Sequence, residues 1–286
     1  MLSNKVSEIM TTNLTAVPAD ASVFEVVERM VTEDVGRVII TDADVPVGIF
    51  TEKDVLKRVV SADLDLRTTK IQEVMTSPVR AVVEETRIVD AFARMYRGKY
   101  RHLLVRGRRG KIIGILSMRR ILNLAVELGQ GASETRMVAD IAAATPVLVD
   151  ESTTVRSTVD LMNQRGLTAI IATKDGAPSG IFTERDLLKR VAARGIDVKA
   201  TAISQVMTAP IIKMPRSALV GDVLAEMYRQ DIRNMPVSGT GGEVVGLLSM
   251  PEILQYATAF NIDEQVRRTW KEVAEFMDSE DQYTPG

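Results

Sequence analysis

The sequence predicts an α/β fold of the α+β type, built from four β-α-β-β-α units. Three observations carry this. Glycines at 48, 114, 180 and 246 recur at a constant spacing of 66, each opening an apolar run that ends in Ser or Thr. GIFTEKDVLKR at Gly48–Arg58 returns as GIFTERDLLKR at Gly180–Arg190, and VMTSP at Val74–Pro78 returns as VMTAP at Val206–Pro210, both 132 positions on. Met30, Met95, Met162 and Met227 keep nearly the 66-residue step. Odd units therefore match odd and even match even, so the chain is a duplicated two-repeat module.

Each unit can be read locally, starting from its first helix. Val23, Val26, Val27, Met30 and Val31 follow the i, i+3, i+4, i+7, i+8 stripe of a half-buried helix. Ile88, Phe92, Met95 and Tyr96 do so in the second unit, and Val220, Val223, Leu224, Met227 and Tyr228 in the fourth. Two β-branched runs around a polar turn follow, as in RVIITD and VPVGIFT with a turn at Thr41–Asp44, or NMPVSG and EVVGLLS with a turn at Gly239–Gly242. A second helix succeeds each glycine-containing run. Such a unit leaves one sheet face uncovered, so units should associate in pairs. Gly129–Met137, small and polar, reads as the linker between halves. Asp263 could cap a last helix carrying Val266, Trp270, Val273 and Met277 on one face.

Composition narrows the function. Net charge is −2, so no global field draws in nucleic acid or an anionic membrane. There is no cysteine and one histidine, His102, which excludes disulfides and thiolate metal sites and argues against histidine-based metal or triad chemistry. No convincing nucleophile–base pair or phosphate-cradling glycine loop is present. The expectation is a non-enzyme with no prosthetic group and no metal. No run reaches the ~18–20 apolar residues of a membrane span, and the start lacks a signal-peptide core, so the expected location is cytoplasmic.

Thr51-x-x-Asp54 and Thr183-x-x-Asp186 have two physical readings. The first is a capping box, in which the carboxylate reaches back to the Thr amide; Ser249-x-x-Glu252 fits it equally. The second is a ligand site, since a helix N-terminus suits an anion and a carboxylate can accept both hydrogens of a cis-diol. Spacing alone does not choose between them.

Four in-phase units, each opening near (I/V)-M-T and ending in G-h-h-(S/T)-x-x-D, resemble tandem cystathionine β-synthase (CBS) domains, two of which form a Bateman module. The resemblance covers about residues 3–260. It implies repeats at 1–62, 63–128, 138–196 and 197–260, a linker at 129–137, and a C-terminal helix and tail at 261–286. In layout the chain is similar to the γ subunit of AMP-activated protein kinase. The resemblance implies a regulatory protein binding AMP, ADP or ATP, with Mg²⁺ accompanying a polyphosphate where present, and signalling to an unknown effector protein. The family's motif Asp holds ribose hydroxyls and its Ser/Thr lies beside phosphate, which carries over to Thr51 with Asp54 and Thr183 with Asp186. Ser117 is followed by Arg120, and Ser249 by Glu252, so two good sites and two degenerate ones are expected.

The remaining walls are expected from the paired unit. For Asp54 these are Thr76, Ser77, Pro78, Val79, Tyr100, Arg101 and His102. For Asp186 they are Thr208, Ala209, Pro210, Ile211, Ile232, Arg233 and Asn234. Arg101, His102 and Arg233 fall where the family places phosphate-facing cations, which favours phosphorylated ligands over S-adenosylmethionine, another adenosyl ligand of the family. Two halves, or two chains as a homodimer, could form the family's four-unit disc. The alternative reading is a nucleic-acid or acidic-protein scaffold using Arg94–Lys111, which holds eight basic residues and no acid. No aromatic ladder accompanies that run, which weighs against nucleic acid.

Overall fold

A computed structural model describes residues 5–98, 100–121, 137–140 and 144–249. Most of the expected linker and the C-terminal helix with Trp270 lie outside the described residues.

The described residues form four three-stranded sheets. They comprise β1 (Ala16–Pro18), β2 (Arg37–Asp42) and β3 (Val45–Thr51); β4 (Ala81–Val83), β5 (His102–Arg106) and β6 (Ile112–Ser117); β7 (Leu148–Asp150), β8 (Ala169–Lys174) and β9 (Ala177–Thr183); and β10 (Met214–Pro215), β11 (Asn234–Ser238) and β12 (Val244–Ser249). In each sheet the first two strands are parallel and the last two antiparallel. The parallel pair requires a crossover. Helices Val23–Thr32, Ile88–Arg97, Val155–Arg165 and Val220–Arg229 supply it.

The predicted stripes are the buried faces. Val23, Val26, Val27 and Met30 are buried, as are Val220, Val223, Leu224 and Met227. Tyr228 departs from its stripe and is 42% exposed, because it sits one helical step beyond Met227, off the inward face. Ser22 and Glu25 close a reciprocal cap on the first helix, with Ser22 N donating to Glu25 at 2.7 Å and Glu25 N to the Ser22 hydroxyl at 3.2 Å.

Two kinds of interface assemble the units. Sheet faces join neighbours in sequence: Ile39 meets Leu104 and Ile115 between units one and two, and Ala169, Ile171 and Ile181 meet Val244 between units three and four. Helical faces join the halves. One apolar core merges units one and three, including Val26, Leu56, Val159 and Leu188, and a second merges two and four, including Phe92, Met95, Val223 and Met227. The two halves of one chain thus supply the pairing that the sequence left open between halves and two chains. Arg156 fastens the first of these layers, donating to the carbonyls of Val60 at 3.1 Å and Ser61 at 3.2 Å.

Paired units also exchange their leading segments. Thr76 pairs with Ile49 of the first unit through bonds of 2.8 and 3.0 Å, Thr11 with Ile115, and Thr208 with Ile181. This crossing explains the glycines at 48, 114 and 180. A Cβ on Gly180 would lie 2.5 Å from Met207 Sδ and 2.9 Å from the Thr208 carbonyl, and one on Gly114 would meet Met10 and the Thr11 carbonyl. Gly48 faces Met75 in the same way.

Candidate functional site

At the end of β3 and of β9 the chain passes from extended backbone at Thr51 and Thr183 directly into a helix. Asp54 and Asp186 are then one turn away, and each carboxylate turns back. Asp54 accepts from the Thr51 amide at 2.9 Å and hydroxyl at 2.7 Å; Asp186 accepts from those of Thr183 at 3.0 and 2.7 Å. The capping geometry is therefore formed at both positions. The second carboxylate oxygen faces the exchanged segment of the paired unit, accepting from Thr76 at 3.1 Å and from Thr208 at 2.8 Å. Arg58 approaches Asp54 at 3.4 Å and Arg190 approaches Asp186 at 3.5 Å. Both arginines also donate to carbonyls of the exchanged segment, Arg58 to Val74 and Met75, Arg190 to Val206 and Met207. They tie motif and wall together, and the LKR that ends both long repeats was the unread signal for them.

A cavity of about 620 Å³ lies where the four units meet. Thr183, Asp186, Thr208, Ile232, Arg233 and Asn234 line it, as do Thr51, Arg101 and His102. Asp54, Thr76, Ser77, Pro78, Val79, Tyr100, Ala209, Pro210 and Ile211 are not part of its lining. Ser77 donates to the Val47 carbonyl, and Val79 and Ile211 pack into the two sheet–sheet interfaces. Tyr100 packs against the core of units two and four beneath Arg80, whose guanidinium lies 4.3 Å from the ring centre. Ala209 and Pro210 are exposed, and the bonds preceding Pro78 and Pro210 are cis.

The cations differ from the sequence expectation in their partners. Arg101 was expected with Asp54 and Arg233 with Asp186, each inside its own module. In the structure Arg233 grips Glu52 with both terminal nitrogens, and Arg101 donates to Glu184 at 3.4 Å. Each pair crosses between modules, because the helix layers bring unit one against three and place even-unit strand starts opposite odd-unit helix starts. Glu52 and Glu184 were passed over in sequence reasoning, although both copies of the motif carry Glu directly after the Thr. Asp231 gathers Arg185 and Arg119 nearby.

Electrostatics follow from this crowding. Glu184 is buried, and burial pushes its carboxyl above the usual range against the opposing pull of Arg101. Burial, with Arg37, Arg101 and Arg233 around it, holds the His102 imidazole well below its ordinary value and therefore neutral at pH 7. Arg37 is lowered to about 10 by burial and by Arg233, and its Nε has no hydrogen-bond partner among the described residues. At the third-unit position, where no cation was expected, Thr168 donates to Asn234 at 3.1 Å. In the second unit Ser117 caps the Arg120 amide at 3.1 Å, while Glu252 of the fourth lies outside the described residues. The basic run Arg94–Lys111 does not form one face, since Arg101 enters the cavity and Arg108 pairs with Glu84 and Glu85. No helix among the described residues is long and apolar enough to cross a membrane.

This architecture has known relatives. The CBS domain family model matches residues 6–61, 71–127, 138–193 and 203–259. The CBS domain-containing protein CBSCBSPB1 of Arabidopsis thaliana is 27% identical over 287 residues, covering 85% of this chain and 52% of the relative. The Meiotically up-regulated gene 70 protein of Schizosaccharomyces pombe is 26% identical, covering 90% of this chain and 42% of the relative. The chain thus spans about half the length of these curated relatives. Among solved structures, MJ1225 from Methanocaldococcus jannaschii, a proposed archaeal homolog of g-AMPK, superposes with a TM-score of 0.74 at 14% identity, covering 88% of this chain and 99% of that one. That likeness concerns the fold. The chain belongs to the CBS domain family, with four copies of this regulatory ligand-binding module paired into two Bateman modules.

Proposed function

We propose that the protein binds adenine nucleotides (AMP, ADP or ATP) and that occupancy, read by a partner protein, is its output. The observation that carries this reading is the cavity that Asp186, Arg101 and Arg233 line together. Its volume falls within the ~300–1,000 Å³ range of small-molecule sites. A motif carboxylate and cations in one lining match the two chemistries of a nucleotide, a ribose diol and a phosphate. The two threonine hydroxyls on Asp186 can rotate away, freeing lone pairs for the diol. Asp54, with the same bonds to its own threonines, is the second position in this reading.

Calorimetric titration with AMP, ADP, ATP and S-adenosylmethionine tests it, using the wild type and separate Asp186→Ala and Asp54→Ala variants. Losing one hydrogen bond to a charged group costs about 1.5–3 kcal/mol, so Asp186→Ala should weaken nucleotide binding roughly ten- to hundredfold. Equal affinity in wild type and Asp186→Ala would reduce the motif to a helix cap. Tightest binding by S-adenosylmethionine would overturn the phosphate half of the argument.

A further inference from the structure

Glu52 and Glu184 occupy equivalent places in the two long repeats but are held very differently. Glu52 is gripped by two nitrogens of Arg233, with Arg185 Nε 3.6 Å away. Gly36 makes room for this: a Cβ there would lie 2.9 Å from Glu52 Oε1 and 3.0 Å from Arg233 Nη2. Among the described residues, Glu184 has one long bond, 3.4 Å from Arg101, whose side chain is 37% exposed and borders the cavity. Glu184 directly follows Thr183, so it stands where the phosphate end of a ligand on Asp186 would arrive.

We propose that Glu184 is an internal competitor for Arg101, yielding that guanidinium to the phosphate of a ligand in the Asp186 cleft. The proposal rests on the nucleotide reading only for the identity of the ligand; the competition itself is for any phosphate. Glu184, left buried beside Glu52, with Arg233 and Lys53 as the other charged groups acting on it, then takes one proton from the buffer. Its carboxyl is already raised with Arg101 in place, and removing that partner raises it further. Binding is therefore coupled to proton uptake, and the glutamate limits affinity. Glu52, with its several bonds, does not exchange. The two motifs, nearly identical in sequence, thus differ in what they do: one carboxylate fastens the modules and the other is displaced.

The test is calorimetry in two buffers of different ionisation enthalpy, which reads protons taken up per ligand bound. Wild type, Glu184→Gln and Arg101→Gln are titrated with ATP and, separately, with tripolyphosphate between about pH 6 and 8. Wild type is expected to take up a fraction of a proton that approaches one at its maximum. Glu184→Gln should take up none at Glu184 and bind about tenfold more tightly, the loss of one charged competitor. Arg101→Gln should bind more weakly and also lose the uptake. Unchanged proton uptake in Glu184→Gln, or weaker binding by it while its melting temperature matches wild type, overturns the proposal. Should ATP bind none of the proteins, the nucleotide reading fails and tripolyphosphate alone decides. Tighter binding of tripolyphosphate by Glu184→Gln upholds the competition; equal binding, or binding to neither, overturns it.

Discussion

Gly180→Ala is the sharpest probe of how the units hold one another. A methyl group there meets Met207 Sδ at 2.5 Å and the Thr208 carbonyl at 2.9 Å. The thioether can swing aside, but the carbonyl belongs to backbone that pairs with Ile181 through two 2.9 Å bonds, so the exchanged segment itself must move. Overpacking of this kind costs about 1–3 kcal/mol. Against it stands the ~0.5–1 kcal/mol that Ala gains over Gly inside a strand. Mid-range values leave a net loss of about 1.25 kcal/mol. With an unfolding entropy of about 2.1 cal/mol/K per residue over 286 residues, this lowers the melting temperature by about 2 °C. Thermal unfolding of wild type, Gly180→Ala, Met207→Ala and the double variant closes a thermodynamic cycle. The methyl should cost less by about 0.5–1 kcal/mol once Met207 is shortened. A melting temperature that rises in Gly180→Ala, or a cost independent of Met207, would refute the close-approach explanation of the glycine period.

Further outcomes follow from the charges. Arg156→Met removes the donors to the Val60 and Ser61 carbonyls and contacts to Asp63 and Asp160, and should cost about 2–3 kcal/mol in chemical denaturation; an unchanged midpoint would show that apolar packing alone joins units one and three. His102 is held neutral in the folded protein, so its contribution is complete above its ordinary value near 6.5 and is lost as pH falls below it, at up to about 1.4 kcal/mol per pH unit. Glu184, raised in the folded protein, acts with the opposite sign, favouring the folded state as pH falls. His102→Asn in a Glu184→Gln background should therefore flatten the decline of urea midpoints between about pH 6.5 and 5; an unchanged slope would place the titration elsewhere.

Much of the fold was legible because the repeat period is long and the helix stripes are regular. Val23 to Met30 and Val220 to Met227 face inward as their spacing requires. The uncovered sheet face implied pairing of neighbours, and Ile39, Leu104 and Ile115 meet across it. What local pattern does not encode is which helices meet between halves. That depends on the joint shape of two sheets and four helices, and nothing in Val155–Arg165 singles out the first unit as its partner. The charged centre was hidden for the same reason. Arg101 and Arg233 were legible as cations at even-unit strand starts, and both line the cavity, but within each module they were expected beside the nearer motif, whereas their bonds reach the glutamates of the other module. Glu52 and Glu184 were visible as letters and silent as chemistry, because a charged residue at a helix start ordinarily faces water.

The exchanged leading segments set the smallest piece of this chain whose backbone pairings are complete. A first repeat severed after residue 62 would leave Ile49 without the Thr76 strand bonds, and Thr11 would have no Ile115 to receive it. Its Gly48 would open onto a groove shaped for a methionine that is no longer attached. A cut between the halves breaks none of these backbone pairings. Heredity and backbone chemistry therefore share a period: the copied unit is the pair, which is why likeness in this sequence returns most strongly every 132 residues and only faintly every 66.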